Sequence, residues 1–490
     1  MSLRSGSGPA APRRADLLVL AFAALLLIWR ILIQIHSPTH QQADAVWYLS
    51  QTYSLLRGDW LTSLFGHSAF QPYLLPYLYG VVSLPFFAVF GASQHSLALW
   101  NALLLTIIAL LTLRLCDRFA VRAPSQRTVL VAAFLTSPSL YGPRPEVLNI
   151  ALMLVMLNLA CGAHPVGARR AVTLGALAAA AGLIQPVGGV FSLCLLGILG
   201  IARRWSRRTF ALLLLSAALT VALLYGPIIL VDPALWLKQF FLAFRDGDGR
   251  GRIDLLLFAK HVLYTPFPYL LYGLALLAKV RASSNATWRA RAALGEIGMM
   301  AVLIAALLPF SRSYYFPYLL VFIVWRLADS GRAVPRRRQN AAALGLLILM
   351  PAFSHYYPTA QHLENPAYGG QARRVIDAAR AMLEEDRDGV IWVEAQIGMV
   401  AIQHPQARLY FSYIARLNGA PIRLGEDDVM LFTTQLAAED AMPNLAHARD
   451  EIVIIEVIPG SERGLNTFEP FRFERGQPLG LWMLRLNLER

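Results

Sequence analysis

Long apolar runs with almost no charge recur over the first three quarters of this 490-residue chain. A helix of about 20 apolar residues spans the hydrocarbon core of a bilayer, which is about 30 Å thick. The chain as a whole is 56% hydrophobic and only 15% charged, whereas soluble domains carry about 25% charged residues. The sequence therefore predicts a polytopic α-helical membrane protein.

We predict about eleven membrane spans, and we expect the first to be retained because it lacks the small-residue cleavage site of a signal peptide. The spans are residues 16–36, 95–115, 128–141, 147–163, 171–184, 189–202, 209–231, 257–279, 295–309, 314–330 and 340–356.

One large outer loop, residues 37–94, is predicted to carry two helices that lie on the membrane surface. They cover residues 44–57 and 72–90. The first is amphipathic, as expected of a helix at the interface. Its lipid- or core-facing stripe is predicted to be Val46, Leu49, Tyr53 and Leu56.

The distribution of basic residues sets the orientation, because cytoplasmic loops of membrane proteins are rich in Lys and Arg. With the N-terminus inside, the inner segments hold 22 Lys/Arg residues and the outer loops hold 7. If 72–90 crossed the membrane, every later loop would change sides and this bias would collapse. We therefore predict a bacterial inner (plasma) membrane protein with a cytoplasmic N-terminus and a periplasmic C-terminal part.

The C-terminal part differs in composition from the rest. The net charge is +20 up to residue 356 and −6 from residue 357 onward. A helix-like stretch at 371–386 is followed by β-like runs, which predict a small α/β domain. The runs are VIWVEAQI, ARLYFSYI, DVMLFTT, EIVIIEVI and LGLWMLRLNL. We predict a membrane domain at 1–356 and a soluble domain at 357–490, whose acidity argues against a nucleic-acid partner.

Cysteine usage gives no sign of a metal or a disulfide framework. Cys116, Cys161 and Cys194 lie in or beside apolar runs and do not have metal-ligand spacing. We predict no metal site and no resident cofactor, although carboxylates from separate loops can still converge on a divalent ion in a folded chain.

Ionisable residues collect in the outer loops rather than inside the spans, where Arg30 and Glu296 are the main exceptions. Ion-coupled transporters place such groups at mid-membrane, where they bind the coupling ion. The distribution here is the one expected for chemistry at the outer membrane surface. The outer acids are Asp44, Asp59, Glu146, Asp232, Asp246, Asp248 and Asp254, and the outer bases are Arg57, Arg144, Lys238, Arg245, Arg250, Arg252 and Arg312.

Four stretches of sequence occur in a characteristic order. The first outer loop contains ADAVWYLSQTYSLLRGDW and then QPYLLPYLYGVVSLPFFAVFG; an outer RPE begins one span, and SRSYYFPYLLVF begins a late one. In this layout the chain resembles the GT-C class of polyprenyl-phosphate-dependent glycosyltransferases, which includes the lipid A aminoarabinose transferase and the protein O-mannosyltransferases. The resemblance covers residues 16–356 in layout and residues 40–91, 142–150 and 310–320 in motif.

The resemblance implies that the acid of the first loop, Asp44, is the catalytic base. Family members often carry Asp-Glu at this point, whereas Ala45 follows Asp44 here. The aminoarabinose transferases carry a lysine before the proline of the second surface helix, where this chain has Gln71. The resemblance therefore implies the class of reaction and not aminoarabinose transfer itself.

The residues fit a one-step, inverting transfer of a sugar from an isoprenoid phosphate. A carboxylate near the interface can take the proton of the attacking hydroxyl or amine, which contributes roughly 10²–10⁴-fold. The leaving lipid phosphate needs fixed cationic partners, and the arginine fork suits phosphate. The candidates for phosphate binding are Arg144, Lys238, Arg245, Arg250, Arg252, His261, Arg312 and Tyr314, and the secondary acids are Asp59 and Glu146.

Each candidate also has a purely structural interpretation. Asp44 fits a helix N-cap, although Trp47 stands where the Glu of a capping box would be. Asp59 fits a turn, and the Arg-Pro-Glu at 144–146 fits the start of a helix. A solvated loop accounts for residues 245–252. Anchoring at the membrane interface accounts for Arg312, Tyr314 and His261.

We predict an inverting glycosyltransferase that moves a sugar from a polyprenyl-phosphate donor to lipid A, a glycan or a protein at the outer face. Its partners would be the lipid-linked sugar, the membrane lipids and this acceptor. One alternative is a carrier or flippase for lipid-linked sugars, which would share the outer basic groups without catalysis. Another is a membrane scaffold whose acidic tail binds a partner. The sugar, the acceptor and the oligomeric state are open at this point.

Overall fold

The computed structural model describes residues 14–36, 46, 49, 52–53, 55–56, 77–91, 93–140, 142–162, 165–231, 233, 255–281, 286–307, 315–330, 344–385, 388–394, 397–398, 400, 402, 404, 407–410, 421–460, 467–469, 472–474 and 479–487. Every structural statement below concerns these residues.

Helices make up most of the described chain. They are α1 (Arg14–His36), α2 (Tyr77–Phe90), α3 (Gln94–Arg118), α4 (Pro124–Leu135), α5 (Pro145–Ala160), α6 (Ala168–Ile184), α7 (Pro186–Ala202), α8 (Arg207–Val231), α9 (Leu255–Tyr264), α10 (Pro266–Arg281), α11 (Ala286–Leu307), α12 (Tyr318–Ser330), α13 (Tyr357–Glu364), α14 (Ala367–Glu384) and α15 (Gln435–Ala441).

Most of these helices begin and end within a few residues of the ends of the predicted spans. Three described segments are long and apolar enough to cross a membrane, namely Leu17–His36, Gln94–Arg118 and Arg207–Pro227. The shorter apolar helices are Leu78–Phe90, Pro145–Ala160, Pro186–Ala202, Pro266–Ala278 and Ala293–Leu307.

The predicted span 257–279 is two helices in the structure, α9 and α10, with Thr265 between them. The break follows from Pro266, which has no N–H to donate and disfavours the helical conformation of the residue before it. The predicted span 340–356 also ends irregularly, in a π-helix at Ala352–Tyr356 that follows Pro351.

Contacts between helices bring two groups of helix ends together. At one end, the Nη1 of Arg30 in α1 donates to the carbonyl oxygen of Leu135 at the end of α4, at 3.0 Å. The same end holds Glu146, in the first turn of α5, and we call it the Glu146 end. At the other, the Nε of Arg118 at the end of α3 donates to Asn158 Oδ1 near the end of α5, at 3.1 Å, and we call it the Arg118 end. The predicted topology likewise puts these two ends on opposite sides of the membrane, with residues 142–146 outside and residues 114–127 inside.

Glycines let α6, α7 and α8 approach each other closely. A Cβ on Gly175 of α6 would lie 2.1 Å from the carbonyl oxygen of Leu213 in α8. A Cβ on Gly189 of α7 would lie 2.6 Å from the Cα of Gly182 in α6. Small residues allow such contacts between helices that are surrounded by lipid rather than water.

The described residues of the first-loop helix, between positions 46 and 56, pack on α2. The hydroxyl oxygens of Thr52 and Ser83 lie 2.8 Å apart, and the rings of Tyr53 and Phe87 lie 5.8 Å apart. The predicted stripe is core-facing at its first three residues, which are buried. At its fourth, Leu56 is 41% exposed, and Leu55 takes the buried position instead.

The C-terminal part contains α14 and a mixed sheet. The strands are β1 (Ile391–Glu394), β2 (Ala407–Tyr410), β3 (Val429–Phe432), β4 (Ile452–Ile458), β5 (Thr467–Glu469), β6 (Arg472–Glu474) and β7 (Leu481–Leu486). Their order is β2-β1-β3-β7-β4, and β5 pairs only with β6. β1 is parallel to β2 and β3, while β7 is antiparallel to β3 and β4.

The five predicted strands correspond to β1, β2, β3, β4 and β7, so the α/β character of this part agrees with the sequence. The short β5–β6 hairpin was not predicted. About two turns before the end of α1, the indole Nε1 of Trp29 donates to the hydroxyl of Thr359 in α13, at 2.8 Å. The domain boundary at residue 356 stays a prediction.

Candidate functional site

The motif Arg144-Pro145-Glu146 begins α5. Arg144 is the N-cap, with φ −100° and ψ 151°, because a residue before proline avoids the helical region. Pro145 takes the first helical position, where its missing N–H removes no hydrogen bond. The carboxylate of Glu146 then lies in the first turn, where the helix dipole favours negative charge. The local sequence therefore fixes both charged side chains at the Glu146 end.

Glu146 is fully buried, and its carboxylate contacts the side chains of Gln185 and Arg144. Its Oε1 accepts a hydrogen bond from the Nε2 of Gln185 at 3.0 Å. Its Oε2 lies 3.6 Å from the Nε of Arg144, whose side chain is 16% exposed. A buried carboxylate is strongly destabilising unless it is paired and hydrogen-bonded, so these two partners account for its presence in the interior.

Gln185 links Glu146 to α12. It is the single residue between α6 and α7 and has extended backbone geometry. Its Oε1 accepts a hydrogen bond from the hydroxyl of Tyr318 at 2.8 Å. That hydroxyl in turn accepts from the Nδ2 of Asn149 at 3.2 Å. All four side chains are at least 93% buried, so α5, α7 and α12 are held together by one polar chain.

The direction of this chain is fixed by its acceptors. The amide of Asn149 donates to Tyr318, Tyr318 donates to the carbonyl of Gln185, and the amide of Gln185 donates to Glu146. Each member is oriented by the next, and the last acceptor is the carboxylate of Glu146. The Oδ1 of Asn149 is buried and has no hydrogen-bond partner among the described residues. We refer to Glu146, Gln185, Tyr318 and Asn149 as the Glu146 network.

The loop before α5 is held by α2. The hydroxyl of Tyr79 in α2 donates to the carbonyl oxygen of Pro143 at 2.7 Å. It also accepts from the indole Nε1 of Trp100 in α3 at 2.9 Å. Since α2 also packs against Thr52 and Tyr53, these two residues and the Arg144 loop are attached to the same helix.

His261 is buried beside the start of α12. Its ring stacks on Phe316, with centroids 5.5 Å apart, and meets the edge of Tyr269 at 5.7 Å. It is 1% exposed, and its Nε2 lies 3.3 Å from the hydroxyl of Thr265. A phosphate could reach this ring only if the aromatic side chains around it moved.

Of the predicted site residues, the structure brings Arg144 and Glu146 together and places His261 among aromatic rings beside the start of α12. The others lie outside the described residues: Asp44, Asp59, Lys238, Arg245, Arg250, Arg252, Arg312 and Tyr314. Their roles stay predictions. Within the described ranges, no group of three His, Cys, Asp or Glu side chains is placed to hold a metal ion.

Sequence reasoning missed Gln185, Asn149 and Tyr79. Gln185 had a recognisable signal, because IQPVGG places one amide before a proline between two apolar runs. Tyr318 stands inside the motif SRSYYFPYLLVF but was not singled out. Asn149 is one helical turn after Glu146, so the two side chains share a face of α5.

The structure resembles two crystal structures of ArnT from Cupriavidus metallidurans. The one bound to undecaprenyl phosphate aligns with a TM-score of 0.58 and 14% identity, over 95% of this chain and 98% of that chain. The one in the apo state aligns with a TM-score of 0.55 and 14% identity, over 96% and 98%. No protein-family model and no curated protein matches the chain.

At this identity the likeness establishes the fold alone. The chain has the GT-C fold, as its sequence motifs implied.

Proposed function

We propose that this chain, which has the GT-C fold, is a bacterial inner-membrane glycosyltransferase that uses a polyprenyl-phosphate sugar. The sugar would pass, with inversion, to an acceptor at the outer face. The observation that carries the proposal is the similarity along 95% of the chain to ArnT in a crystal structure with undecaprenyl phosphate bound. A buried, charged cluster at the start of α5 supports it.

Asp44 is the proposed base. Its carboxylate would take the proton of the acceptor's hydroxyl or amine as that group attacks the anomeric carbon. The bond from this carbon to the phosphate oxygen breaks, and polyprenyl phosphate leaves. The helix that follows Asp44 is attached to α2 through Thr52 and Tyr53. That attachment supports a fixed depth for the base relative to the Arg144 loop, which α2 also holds.

Arg144 is the proposed partner of the leaving phosphate. Its guanidinium lies beside Glu146, which limits its movement, and a preorganised cation stabilises charge that develops during the reaction. Glu146 is proposed to position Arg144 and is itself fixed by Gln185. The phosphate-binding roles of Lys238, Arg245, Arg250, Arg252, His261, Arg312 and Tyr314, and the secondary role of Asp59, are retained as proposals.

Residues 357–490 are proposed to lie in the periplasm and to shape the acceptor site. Lipid A, a glycan or a protein would each present a hydroxyl or amine at that surface.

The experiment that tests the proposal separates transfer from transport. The purified protein is reconstituted into proteoliposomes with a lipid extract of its own host. Isoprenoid-phosphate sugars are then followed by mass spectrometry, and their distribution between leaflets is followed in parallel. A transferase converts them to free isoprenoid phosphate, and the mass lost names the sugar. Movement between leaflets without loss of the sugar would instead identify a carrier and reject the proposal.

A further inference from the structure

Four arginines lie close together at the Arg118 end, at the opposite end of α5 from Glu146. They are Arg114 and Arg118 of α3, Arg170 of α6 and Arg203 after α7. Arg118 lies close enough to Arg114 and Arg170 for their charges to interact. Cys161, which caps α5, lies in the field of Arg118 and Arg203. We refer to the four as the arginine cluster.

Two of these guanidinium groups meet at the backbone of Gly162. The position that a Cβ would take there lies 3.2 Å from the Nη1 of Arg170 and 3.4 Å from the Nη1 of Arg118. Arg114 and Arg118 stand one turn apart on the same face of α3, a like-charge spacing that destabilises a helix. Cations brought this close repel one another unless an anion lies between them.

Arg118 is held in place by buried partners. Its Nε donates to the Oδ1 of Asn158 at 3.1 Å. Asn158 is 4% exposed, and its Nδ2 donates to the carbonyl oxygens of Leu111 and Leu154 at 3.0 and 2.9 Å. The guanidinium is therefore oriented by the fold rather than left to move in solvent.

The nearby carboxylates are engaged by other arginines. Asp117 pairs with Arg127, while Glu296 and Asp329 both pair with Arg326. Among the described residues, no carboxylate forms an ion pair with Arg118 or Arg203, which are both exposed.

Two general effects explain part of this charge. The C-terminus of α5 carries roughly half a negative charge from the helix dipole, and Arg203 reaches the carbonyl oxygen of Ala160 at 3.4 Å. The C-termini of α3 and α7, beside Arg118 and Arg203, add about half a negative charge each. About one and a half negative charges do not balance the guanidinium groups of Arg114, Arg118 and Arg203. Cytoplasmic loops are generally basic, which explains why the charge here is positive. That rule does not explain why arginine side chains from separate helices meet at Gly162.

A lipid-facing stripe on α3 leads directly to this cluster. Leu103, Ile107 and Leu110 are 41%, 37% and 50% exposed. Their spacing places them on the same helix face as Arg114, which follows Leu110 by four residues. A molecule with a phosphate beside acyl chains would match the arginines and this stripe together, whereas free phosphate would match the arginines alone.

We propose that the arginine cluster binds the phosphate of an anionic phospholipid, with its acyl chains along α3. On the predicted topology this is the inner leaflet, on the opposite side from the proposed transfer. Arginine binds phosphate through paired, charge-assisted hydrogen bonds, and basic pockets between membrane helices on the cytoplasmic side recognise such headgroups. The proposal is independent of the proposed function.

The test uses the full-length protein in nanodiscs and native mass spectrometry. The probes are phosphatidylglycerol and phosphatidylcholine, and the test variant is Arg118→Gln with Arg203→Gln. The matched control is Arg208→Gln, which removes an exposed arginine at the start of α8, outside the cluster. We expect phosphatidylglycerol to be retained by the wild type and the control, and its affinity to fall at least about tenfold in the double variant.

Equal retention of phosphatidylglycerol by the double variant and the control would overturn the proposal. So would inorganic phosphate that raises the thermal midpoint as much as phosphatidylglycerol does, because the ligand would then be free phosphate. Thermal unfolding in phosphatidylcholine alone checks that each variant folds. If the double variant does not, Arg203→Gln alone carries the comparison.

Discussion

The Nε2 of Gln185 lies 3.0 Å from the Oε1 of Glu146. One amide between α6 and α7 therefore donates to a fully buried carboxylate in the first turn of α5. The position of Arg144 depends on this contact, because its guanidinium rests beside the second oxygen of the same carboxylate.

Replacing Gln185 by Leu removes a donor from that buried charge. We expect the free energy of unfolding to fall by about 1–3 kcal/mol, the usual loss when a buried polar group is left without its partner. Turnover of the lipid-linked sugar should fall as well, because Glu146 then loses the contact that fixes its position. The control is Gln126→Leu at the Arg118 end, where the amide makes only a 3.5 Å contact with Leu327. Thermal unfolding of both variants in the same detergent makes the comparison, and equal stability would contradict the network.

Tyr318→Phe tests whether the network acts as a unit. It deletes the hydroxyl that joins Asn149 to Gln185 and keeps the ring that packs on Phe191 at 5.6 Å. We expect Tyr318→Phe alone to lower the free energy of unfolding by about 1 kcal/mol. The double variant with Gln185→Leu should lose less than the sum of the two single losses, because both changes break the same chain of hydrogen bonds. Strictly additive losses in a double-mutant cycle would show that the hydroxyl and the amide act separately.

Gly188→Ala tests the packing of α7 on the network. A Cβ there would lie 2.1 Å from the Nδ2 of Asn149 and 3.1 Å from the carbonyl oxygen of Ala181. We expect a loss of about 1–3 kcal/mol in stability from overpacking and a loss of activity.

Gly197→Ala is the matched control for Gly188→Ala. It lies in the same helix and has nothing within 4 Å of its Cβ position. Alanine there should be neutral or stabilising by up to about 1 kcal/mol, since glycine is a poor helix former. The prediction fails if both variants unfold at the same temperature.

We expect the stability of the C-terminal sheet to depend on pH through the buried carboxyl of Glu394. Burial raises the pKa of its carboxyl, while hydrogen bonds from the N–H and hydroxyl of Thr433, both 2.7 Å, oppose that rise. The folded state then holds the proton more tightly than the unfolded chain, so stability falls as pH rises from the unfolded pKa, about 4.3, to the raised folded pKa. Glu394→Gln should abolish this fall, whereas Glu456→Gln, at an exposed position on β4, should not. Thermal unfolding from pH 4 to 8 measures both.

Much of the fold could be predicted because apolar periodicity and charge bias are local properties of the sequence. The ends of α1, α3, α5 and α8 lie within a few residues of the predicted spans. The break at Thr265 was missed, although Pro266 marks it, because the apolar run continues across it without a polar interruption. The burial of Leu55 in place of Leu56 depends on how the first-loop helix meets α2, which composition does not encode.

The candidate site was only partly predictable, for a related reason. Arg144 and Glu146 are adjacent in a motif, so the sequence brings them together. Gln185 reaches Glu146 across 39 positions of the chain, and Tyr318 reaches Gln185 across 133, only when the helices pack. Their isolated polar side chains were visible in the sequence, but nothing local identifies their partners.

The role of Asp44 as the base is tested most directly by comparing turnover of the lipid-linked sugar by wild type and Asp44→Asn. Purified protein is incubated with a lipid extract of its host, and free isoprenoid phosphate is followed by mass spectrometry. Asp377→Asn, at an exposed position of α14, is the control for loss of a carboxylate. We expect turnover by wild type and the control, and a loss of at least about 10²-fold in Asp44→Asn. Equal turnover by all three proteins would contradict the role of Asp44, and no turnover by any of them with an acceptor present would contradict the proposed transfer itself.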